Sequence, residues 1–258
     1  MIVDSHVHVG RWKYPPLEEY LPAMKEAGVA AAVLVQFVGN ADNAYLGQCV
    51  AAHPGRLAAV AMVEPDTHGA PAHVARLAAT GRFGGIRLWA TTRSPGADPL
   101  AVWRAVEAAG LVASVRGPLR DIADPAFAAL LDELPALRFR LEHLGFTEYP
   151  AADRRDFGRF LDLAARPGAH TMWAGFYANS GTPYPHPDAD PFLRDAVAAF
   201  GARRVTWSGD WNRPDARPGD YAAAVRHPLE RPYLTEEDRR WILGRATAHL
   251  FGLPEAGA

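Results

Sequence analysis

The chain has 258 residues, of which 49% are hydrophobic and 22% are charged, and its formal net charge is −2. This composition is typical of a folded domain, and the charge balance excludes the basic surface that nucleic-acid binding requires. The single cysteine, Cys49, excludes a disulfide framework and a multi-cysteine zinc site. There is no run of about 18 apolar residues and no secretion-signal pattern, so we expect a cytoplasmic protein that does not span a membrane.

Strand-like and helix-like segments alternate along the whole chain. Each strand-like segment is short and rich in β-branched and apolar residues. The eight strand-like segments begin near Ile2, Ala31, Leu57, Gly85, Leu111, Arg138, His170 and Arg204. Successive starts are 26–34 residues apart, a spacing that is typical of βαβ units with a parallel sheet. Because no glycine-rich phosphate-binding motif is present, the pattern predicts an α/β fold, a (β/α)8 barrel, as one domain over residues 1–258.

Helical periodicity and capping residues predict where several helices lie. Four predicted helices cover Pro16–Ala27, Pro99–Ala109, Pro125–Leu134 and Thr235–Leu253. Asp98 and Asp124 are expected N-caps of the second and third of these. In the fourth, Asp238 stands three residues after Thr235, close to a capping box. Two segments rich in turn-forming residues, Tyr177–Pro191 and Trp211–Gly219, are predicted to be loops.

Polar residues at the ends of the strands are the candidates for an active site, because such barrels carry the site at the C-terminal ends of their strands. His6 and His8 end the first strand and, two residues apart, share a face. Asp4 shares that face one step deeper, so we expect it to hold an imidazole N–H. On the sixth strand, the apolar alternation predicts that His143 points inward and Glu142 outward.

Asp210 ends the eighth strand, within W-S-G-D-W. A carboxylate in that position is costly to desolvate unless it is hydrogen-bonded or bound to a metal, and it is suited to taking a proton from water. The predicted catalytic residues are therefore His6, His8, His143 and Asp210. The same four residues are the predicted metal ligands, for one divalent ion, with zinc favoured by the ligand types. Catalysis by the imidazoles without a metal is the other possibility that these residues leave open.

Further residues at the strand ends are candidates for binding a small-molecule substrate. Guanidinium groups can form forked hydrogen bonds to a carboxylate, an amide can donate to a carbonyl, and aromatic rings can form apolar walls. The predicted substrate-binding residues are Gln36, Arg87, Arg116, Trp173, Tyr177, Asn179 and Trp211. The pattern does not indicate an oligomeric state.

Five motifs in order along the chain resemble the amidohydrolase superfamily. They are D-S-H-V-H, G-I-R-L, E-H-L-G, W-S-G-D-W and G-R-A-T-A-H-L-F-G-L. More narrowly, the chain is similar to the amidohydrolase-related branch that includes sugar-acid lactonases, pyrone-dicarboxylate lactonases and metal-dependent decarboxylases. The resemblance implies a distorted (β/α)8, or TIM, barrel. It matches His6 and His8 to the first-strand pair, His143 to a later-strand histidine and Asp210 to the last-strand aspartate.

The chain departs from the binuclear members of that superfamily. Its fifth strand, L-V-A-S-V-R-G, has no histidine, and His170 stands at the beginning of the seventh strand instead of its end. A binuclear metal site is therefore not expected. The resemblance favours a hydrolase that cleaves an ester or lactone, or a related C–O or C–N bond, of a small molecule by activating water. A zinc-dependent decarboxylase and a non-catalytic ligand-binding barrel are the alternatives.

Overall fold

Eight parallel strands form a sheet in which every strand lies beside its neighbours in the sequence. The computed structural model describes residues 1–211 and 220–254. The strands are β1 (Ile2–Val7), β2 (Val29–Val35), β3 (Leu57–Met62), β4 (Gly85–Trp89), β5 (Val112–Arg116), β6 (Arg138–Leu141), β7 (Ala169–Trp173) and β8 (Val205–Trp207). Their order in the sheet is β1 to β8, and β8 lies against β1. The predicted TIM barrel is confirmed, and each strand begins within two residues of its predicted start.

Helices follow the strands and surround the barrel. The α-helices are α1 (Leu17–Glu26), α2 (Ala44–Ala52), α3 (Ala70–Ala79), α4 (Ala101–Ala108), α5 (Leu119–Ile122), α6 (Pro125–Asp132), α7 (His143–Phe146), α8 (Arg154–Asp162), α9 (Phe176–Asn179), α10 (Asp190–Phe200), α11 (Asp220–Leu229), α12 (Glu236–Arg240) and α13 (Ala246–Phe251). Short 3₁₀ turns lie at Tyr149–Ala151, Leu163–Ala165 and Ala202–Arg204. A π-helical segment, Trp241–Arg245, joins α12 to α13. Large apolar side chains of the strands and helices form the core between the two layers.

Capping residues explain where several helices begin. The Asp124 carboxylate accepts a hydrogen bond from the backbone N–H of Ala126 at the start of α6. Thr235 and Asp238 form the predicted capping box at the start of α12. The predicted loop Tyr177–Pro191 is interrupted at both ends, because α9 covers its first residues and α10 begins at Asp190. Of the predicted loop Trp211–Gly219, residues 212–219 lie outside the described residues.

The C-terminal helices close the end of the barrel at which the strands begin. Gly244 lies so close to the Met1 carbonyl that a Cβ atom there would be 2.2 Å from its oxygen. The Leu250 carbonyl accepts a hydrogen bond from Arg138 at the start of β6, and Phe251 packs against Gly84, just before β4. The opposite end of the barrel is therefore the end available for a site. Among residues 1–211 and 220–254, no helix has the length and apolar character needed to cross a membrane.

Candidate active site

A cavity opens at the C-terminal ends of the strands, the end at which barrels of this kind bind small molecules. It is lined by His6, His8, Lys13, Tyr14, Phe37, Val38, Arg87, Arg116, His143, Phe146, Tyr177, Asp210 and Trp211. The structure therefore brings together all four residues that were predicted to be catalytic. Four of the seven predicted substrate-binding residues, Arg87, Arg116, Tyr177 and Trp211, line the same cavity.

The imidazoles of His6 and His8 face each other at the end of β1. Their Nε2 atoms are 3.3 Å apart, and the Nδ1 atom of His8 lies 2.6 Å from the carbonyl oxygen of Val35. Burial, reinforced by the charge of Arg87, lowers the pKa of His8 to about 3. A neutral His8 that donates from Nδ1 to Val35 presents a lone pair at Nε2. Burial also lowers the pKa of His6 well below its ordinary value.

An unusual backbone turn directs His143 into the cavity. His143 and the three residues after it all have positive φ angles, 49°, 52°, 69° and 48°, which L-residues adopt at a cost. The His143 ring lies 5.0 Å from the His6 ring, measured between centroids, and burial lowers the pKa of His143 to about 3. Its buried Nδ1 atom forms no hydrogen bond with a described residue.

Asp210 faces His143 from the end of β8. Its Oδ1 atom is 3.8 Å from Nδ1 of His143, and its Oδ2 atom accepts a hydrogen bond of 2.8 Å from the backbone N–H of Gly175. Gly175, with a φ of 84°, lies so close to His143 that a Cβ atom there would be 2.8 Å from the His143 Cβ atom. One glycine thus contacts both residues of the His143–Asp210 pair.

The predicted outward orientation of Glu142 is wrong. Glu142 is fully buried and accepts hydrogen bonds from Arg87, at 3.0 Å from Nε and 2.7 Å from Nη2, and from Ser114 Oγ at 2.8 Å. Although burial raises it, the charge of Arg87 lowers the pKa of Glu142 to about 2. Strand alternation failed because β6 ends at Leu141. The left-handed turn that begins at His143 directs the His143 side chain into the cavity, while Glu142 stays buried beside Arg87.

A second buried arginine extends this network beneath the cavity. Arg140 donates to Ser114 Oγ at 2.8 Å and to the Ser5 carbonyl at 2.6 Å. Burial lowers the pKa of Arg140 to about 10. Two arginines and one glutamate therefore underlie the imidazoles, and this excess of positive charge disfavours protonated histidine.

Several residues predicted to bind substrate are occupied by other bonds. The forked face of Arg87 holds Glu142, and its Nη1 atom donates to the Gln36 carbonyl. The Gln36 side chain is buried and bonds to the backbone of Phe37 and Asp42. Gln36 does not line the cavity, and its hydrogen-bonding groups hold the loop after β2.

Trp173 and Asn179 also lie away from the cavity lining. Trp173 is fully buried and donates from Nε1 to His227 Nδ1 at 3.0 Å. The amide of Asn179 is buried and donates to the His143 carbonyl at 3.4 Å, so it contacts the backbone of the predicted catalytic turn.

Asp4 does not hold an imidazole N–H, contrary to the prediction. Its carboxylate accepts hydrogen bonds from the backbone N–H of His6 and from the hydroxyl of Tyr221. The pairing of β1 with β2 shifts register between Asp4 and Val7. Side chains two residues apart therefore do not share a face from Asp4 to His6, as they would in a regular strand.

Sequence analysis missed one charged and four apolar or aromatic residues of the cavity. They are Lys13, Tyr14, Phe37, Val38 and Phe146. All five lie within seven residues of the last residue of β1, β2 or β6. They lie in the loops that follow the strands, and because those loops form the rim of such barrels, that position is the sequence signal that points to them.

Two cations on the cavity wall face no carboxylate partner. The Arg116 guanidinium stacks on Trp89, 4.1 Å from the ring centroid, and its buried Nε atom forms no hydrogen bond with a described residue. Burial lowers the pKa of Arg116. Lys13 Nζ lies 5.0 Å from the Phe37 ring centroid. Within the described part of the chain, neither cation forms an ion pair, so both remain available to an anionic ligand.

The geometry of the imidazoles fits a metal ion. Zinc bound tetrahedrally at about 2.05 Å holds two nitrogen ligands about 3.3 Å apart, which matches the observed separation of Nε2 of His6 from Nε2 of His8. His6, Glu142 and His143 also present ligand atoms within 4.8 Å of one another. The Glu142 oxygens already accept hydrogen bonds from Arg87 and Ser114, so they are less available to a metal ion than the imidazole nitrogens.

Comparison with known proteins agrees with this fold. The amidohydrolase family model matches residues 3–253, and the chain belongs to this family of hydrolases. An L-fucono-1,5-lactonase of Burkholderia ambifaria is 29% identical over 221 residues, which cover 78% of this chain and 72% of that protein.

Two solved structures share the whole architecture. A Pseudomonas putida protein assigned as a 2-pyrone-4,6-dicarboxylic acid hydrolase superposes with a TM-score of 0.81 at 25% identity, with 98% of each chain covered. An amidohydrolase from Burkholderia multivorans, solved with bound zinc, superposes with a TM-score of 0.78 at 21% identity. That match covers 98% of this chain and 100% of the other.

Proposed function

We propose that the protein hydrolyses the ester bond of a small lactone, with Asp210 as the general base. The observation that carries the proposal is the placement of the Asp210 carboxylate on the cavity wall, 3.8 Å from Nδ1 of His143. The similarity to a lactonase of 29% identity supports the choice of bond. A carboxylate whose second oxygen is held by the Gly175 N–H is well oriented to accept a proton.

The proposed reaction begins when Asp210 takes a proton from a water molecule. The water oxygen attacks the lactone carbonyl carbon, and the carbonyl oxygen becomes an oxyanion that a nearby imidazole N–H stabilises. The intermediate collapses and the ring C–O bond breaks. The alkoxide that leaves takes the proton back from Asp210, and the product is an open hydroxy acid.

The same residues are proposed to hold one divalent metal ion, with zinc favoured by the imidazole donors. His6 and His8 would supply nitrogen ligands, and His143 and Asp210 would complete the set. A bound ion of this kind lowers the pKa of water and polarises a carbonyl group. The hydrogen bond from His8 to Val35 fixes the imidazole tautomer that leaves Nε2 available as a ligand.

We propose that the preferred substrate carries a negative charge near the lactone ring. Arg116 and Lys13 face the cavity without carboxylate partners among the described residues. Arg87, which also lines the cavity, is neutralised by Glu142. An arginine stacked on Trp89 is held in a fixed orientation, which favours forked recognition of a carboxylate.

The test is a hydrolysis assay with a panel of sugar-acid lactones, with and without a carboxylate, measured by acid release. We expect turnover by the wild type and faster turnover of the anionic lactones. Asp210→Asn should retain the fold and lose activity by about 10²–10⁴-fold, the usual contribution of a general base. Chelation followed by addition of zinc tests the metal proposal on the same substrate.

Three results would contradict the proposal. Near wild-type turnover by Asp210→Asn would remove its assigned role. Release of CO2 from aromatic acids, with no hydrolysis of any lactone, would instead indicate the decarboxylase alternative. Binding of lactones without turnover would indicate a ligand-binding barrel.

A further inference from the structure

The junction between β1 and β8 is held together by side chains. Backbone ladders join consecutive strands from β1 to β8, and among the described residues none joins β8 back to β1. This junction separates His6 and His8, on one side, from Asp210 on the other. The relative placement of the proposed catalytic residues therefore depends on the side chains that cross it.

Ser208 links the backbones of His6 and Asp210 through a single hydroxyl group. Its Oγ atom donates to the His6 carbonyl at 2.9 Å and accepts from the Asp210 N–H at 3.0 Å. Ser208 is only 2% exposed, so these bonds are made away from water and are not exchanged for bonds to solvent.

Asp4 makes a second connection across the same junction. One carboxylate oxygen accepts from the His6 N–H at 3.1 Å, and the other accepts from the Gly209 N–H at 3.3 Å. The second oxygen also accepts from the Tyr221 hydroxyl at 2.8 Å. An ionised carboxylate has two acceptor oxygens and no donor. It can therefore accept all three hydrogen bonds, from the N–H groups of His6 and Gly209 and from the hydroxyl of Tyr221.

Two tyrosines, each on a different helix, support the Asp4 carboxylate through a chain of hydrogen bonds. The hydroxyl of Tyr20, on α1, lies 3.0 Å from the hydroxyl of Tyr221, on α11. The Tyr221 ring covers Gly209, where a Cβ atom would be 2.3 Å from the ring. A side chain at position 209 would therefore displace Tyr221 and, with it, the support of Asp4.

We propose that Ser208 and Asp4 are positioning residues that set His6 in register with Asp210 across the β1–β8 junction. The inference rests on the proposed function, since it assigns these residues a role in the reaction of that site. Neither residue lines the cavity, so neither is assigned a contact with substrate. A misplacement of about 1 Å between reacting groups can reduce a rate by about 100-fold. Loss of either linkage is therefore expected to lower the rate of the reaction.

The test compares Ser208→Ala and Asp4→Asn with Ser5→Ala. Ser5 is a matched control, because it is fully buried on the same junction and its hydroxyl donates to the hydroxyl of Thr206 at 3.4 Å, a bond that crosses the junction without linking His6 to Asp210. We expect kcat to fall by about 10-fold to 100-fold in Ser208→Ala and Asp4→Asn, with KM within about threefold of wild type. Ser5→Ala should keep a wild-type kcat.

Crystal structures of the same variants provide a readout that needs no substrate. The separation between the His6 and Asp210 side chains should change in Ser208→Ala and stay as in wild type in Ser5→Ala. Because the two linkages share one junction, the loss in the Ser208→Ala/Asp4→Asn double variant should be smaller than the product of the single losses.

The inference is overturned if folded Ser208→Ala keeps a wild-type kcat and the wild-type separation of the two side chains. It is also overturned if Ser5→Ala loses as much kcat as Ser208→Ala, since any loosening of the junction would then suffice. If the wild type hydrolyses no lactone, the proposed function fails, and the side-chain separations alone still decide the positioning role.

Discussion

Gly175 is a single residue on which the placement of two proposed catalytic groups depends. It bonds Asp210 through its N–H and lies against the His143 side chain, at a φ of 84°. We predict that Gly175→Ala destabilises the protein by about 1–3 kcal/mol, from the strained φ and the close contact. The same variant should lose most of its hydrolytic activity, because His143 must move.

Gly28 provides the control for this prediction. It also has a positive φ, 70°, yet a Cβ atom there would have nothing within 4 Å. Gly28→Ala should therefore carry only the backbone strain, about 1 kcal/mol, and retain activity. Urea unfolding and lactone hydrolysis measure the two effects separately. Equal activity losses in the two variants would show that Gly175 has no specific role.

At the scale of single residues, the sequence predicted the position or orientation of some side chains correctly and of others incorrectly, and each error has a physical cause. His6, His8 and Asp210 could be placed near one another because they end strands whose C-terminal ends converge. The orientation of Glu142 could not be obtained in this way, since alternation applies only inside a strand and β6 ends one residue earlier. Positive φ angles at His143 and Leu144 have no signal in a single sequence.

At the scale of elements, a buried ionic network joins three neighbouring strands. Arg87 of β4 binds Glu142, just after β6, and Ser114 of β5 lies between Glu142 and Arg140. All four side chains are almost fully buried. Removal of one partner from such a pair leaves a buried charge without compensation.

We therefore predict that Glu142→Gln destabilises the protein by about 3 kcal/mol or more. Glu133→Gln is the control, because Glu133 pairs with Arg104 at 3.5 Å while both side chains are well exposed, and exposed pairs contribute less than about 1 kcal/mol. Urea denaturation of both variants measures the difference. A double variant, Arg87→Met with Glu142→Leu, should recover part of the loss, and failure to recover any would contradict the ionic explanation.

The elements themselves were largely predictable, with one informative exception. Apolar runs and proline or aspartate signals fixed the strands and several helices, because these depend on local periodicity. The segment Thr235–Leu253 was predicted as one regular helix, whereas a π-helical turn interrupts it at Trp241–Arg245. The turn places Gly244 against the Met1 carbonyl, a contact between residues far apart in the sequence that local sequence does not encode.

At the scale of the whole molecule, burial keeps several histidines neutral in the folded state. The pKa values are lowered for His6, His8, His143, His170 and His227. An unfolded chain would protonate them near their ordinary value of 6.5. Because the unfolded state then binds more protons than the folded state, stability rises with pH across this range. Asp4 opposes the trend, since burial raises its pKa to about 6.

His227 offers the clearest test of this pH dependence. Burial, with the charge of Arg231, lowers its pKa to about 3, and its Nδ1 atom must be unprotonated to accept from Trp173. Its contribution to stability is complete above pH 6.5 and is lost as the pH falls towards 3. One such group changes the free energy of unfolding by about 1.4 kcal/mol per pH unit.

We predict that His227→Phe reduces the slope of unfolding free energy against pH by about 1.4 kcal/mol per unit, between about pH 6 and pH 4. Trp173→Phe is the matched control. It removes the other partner of the same hydrogen bond and destabilises the protein, but it keeps the titrating group, so its slope should remain that of the wild type. Urea unfolding at several pH values measures all three slopes. Parallel lines for the wild type and His227→Phe would show that His227 is protonated equally in the folded and unfolded states, and that its burial has no influence on acid stability.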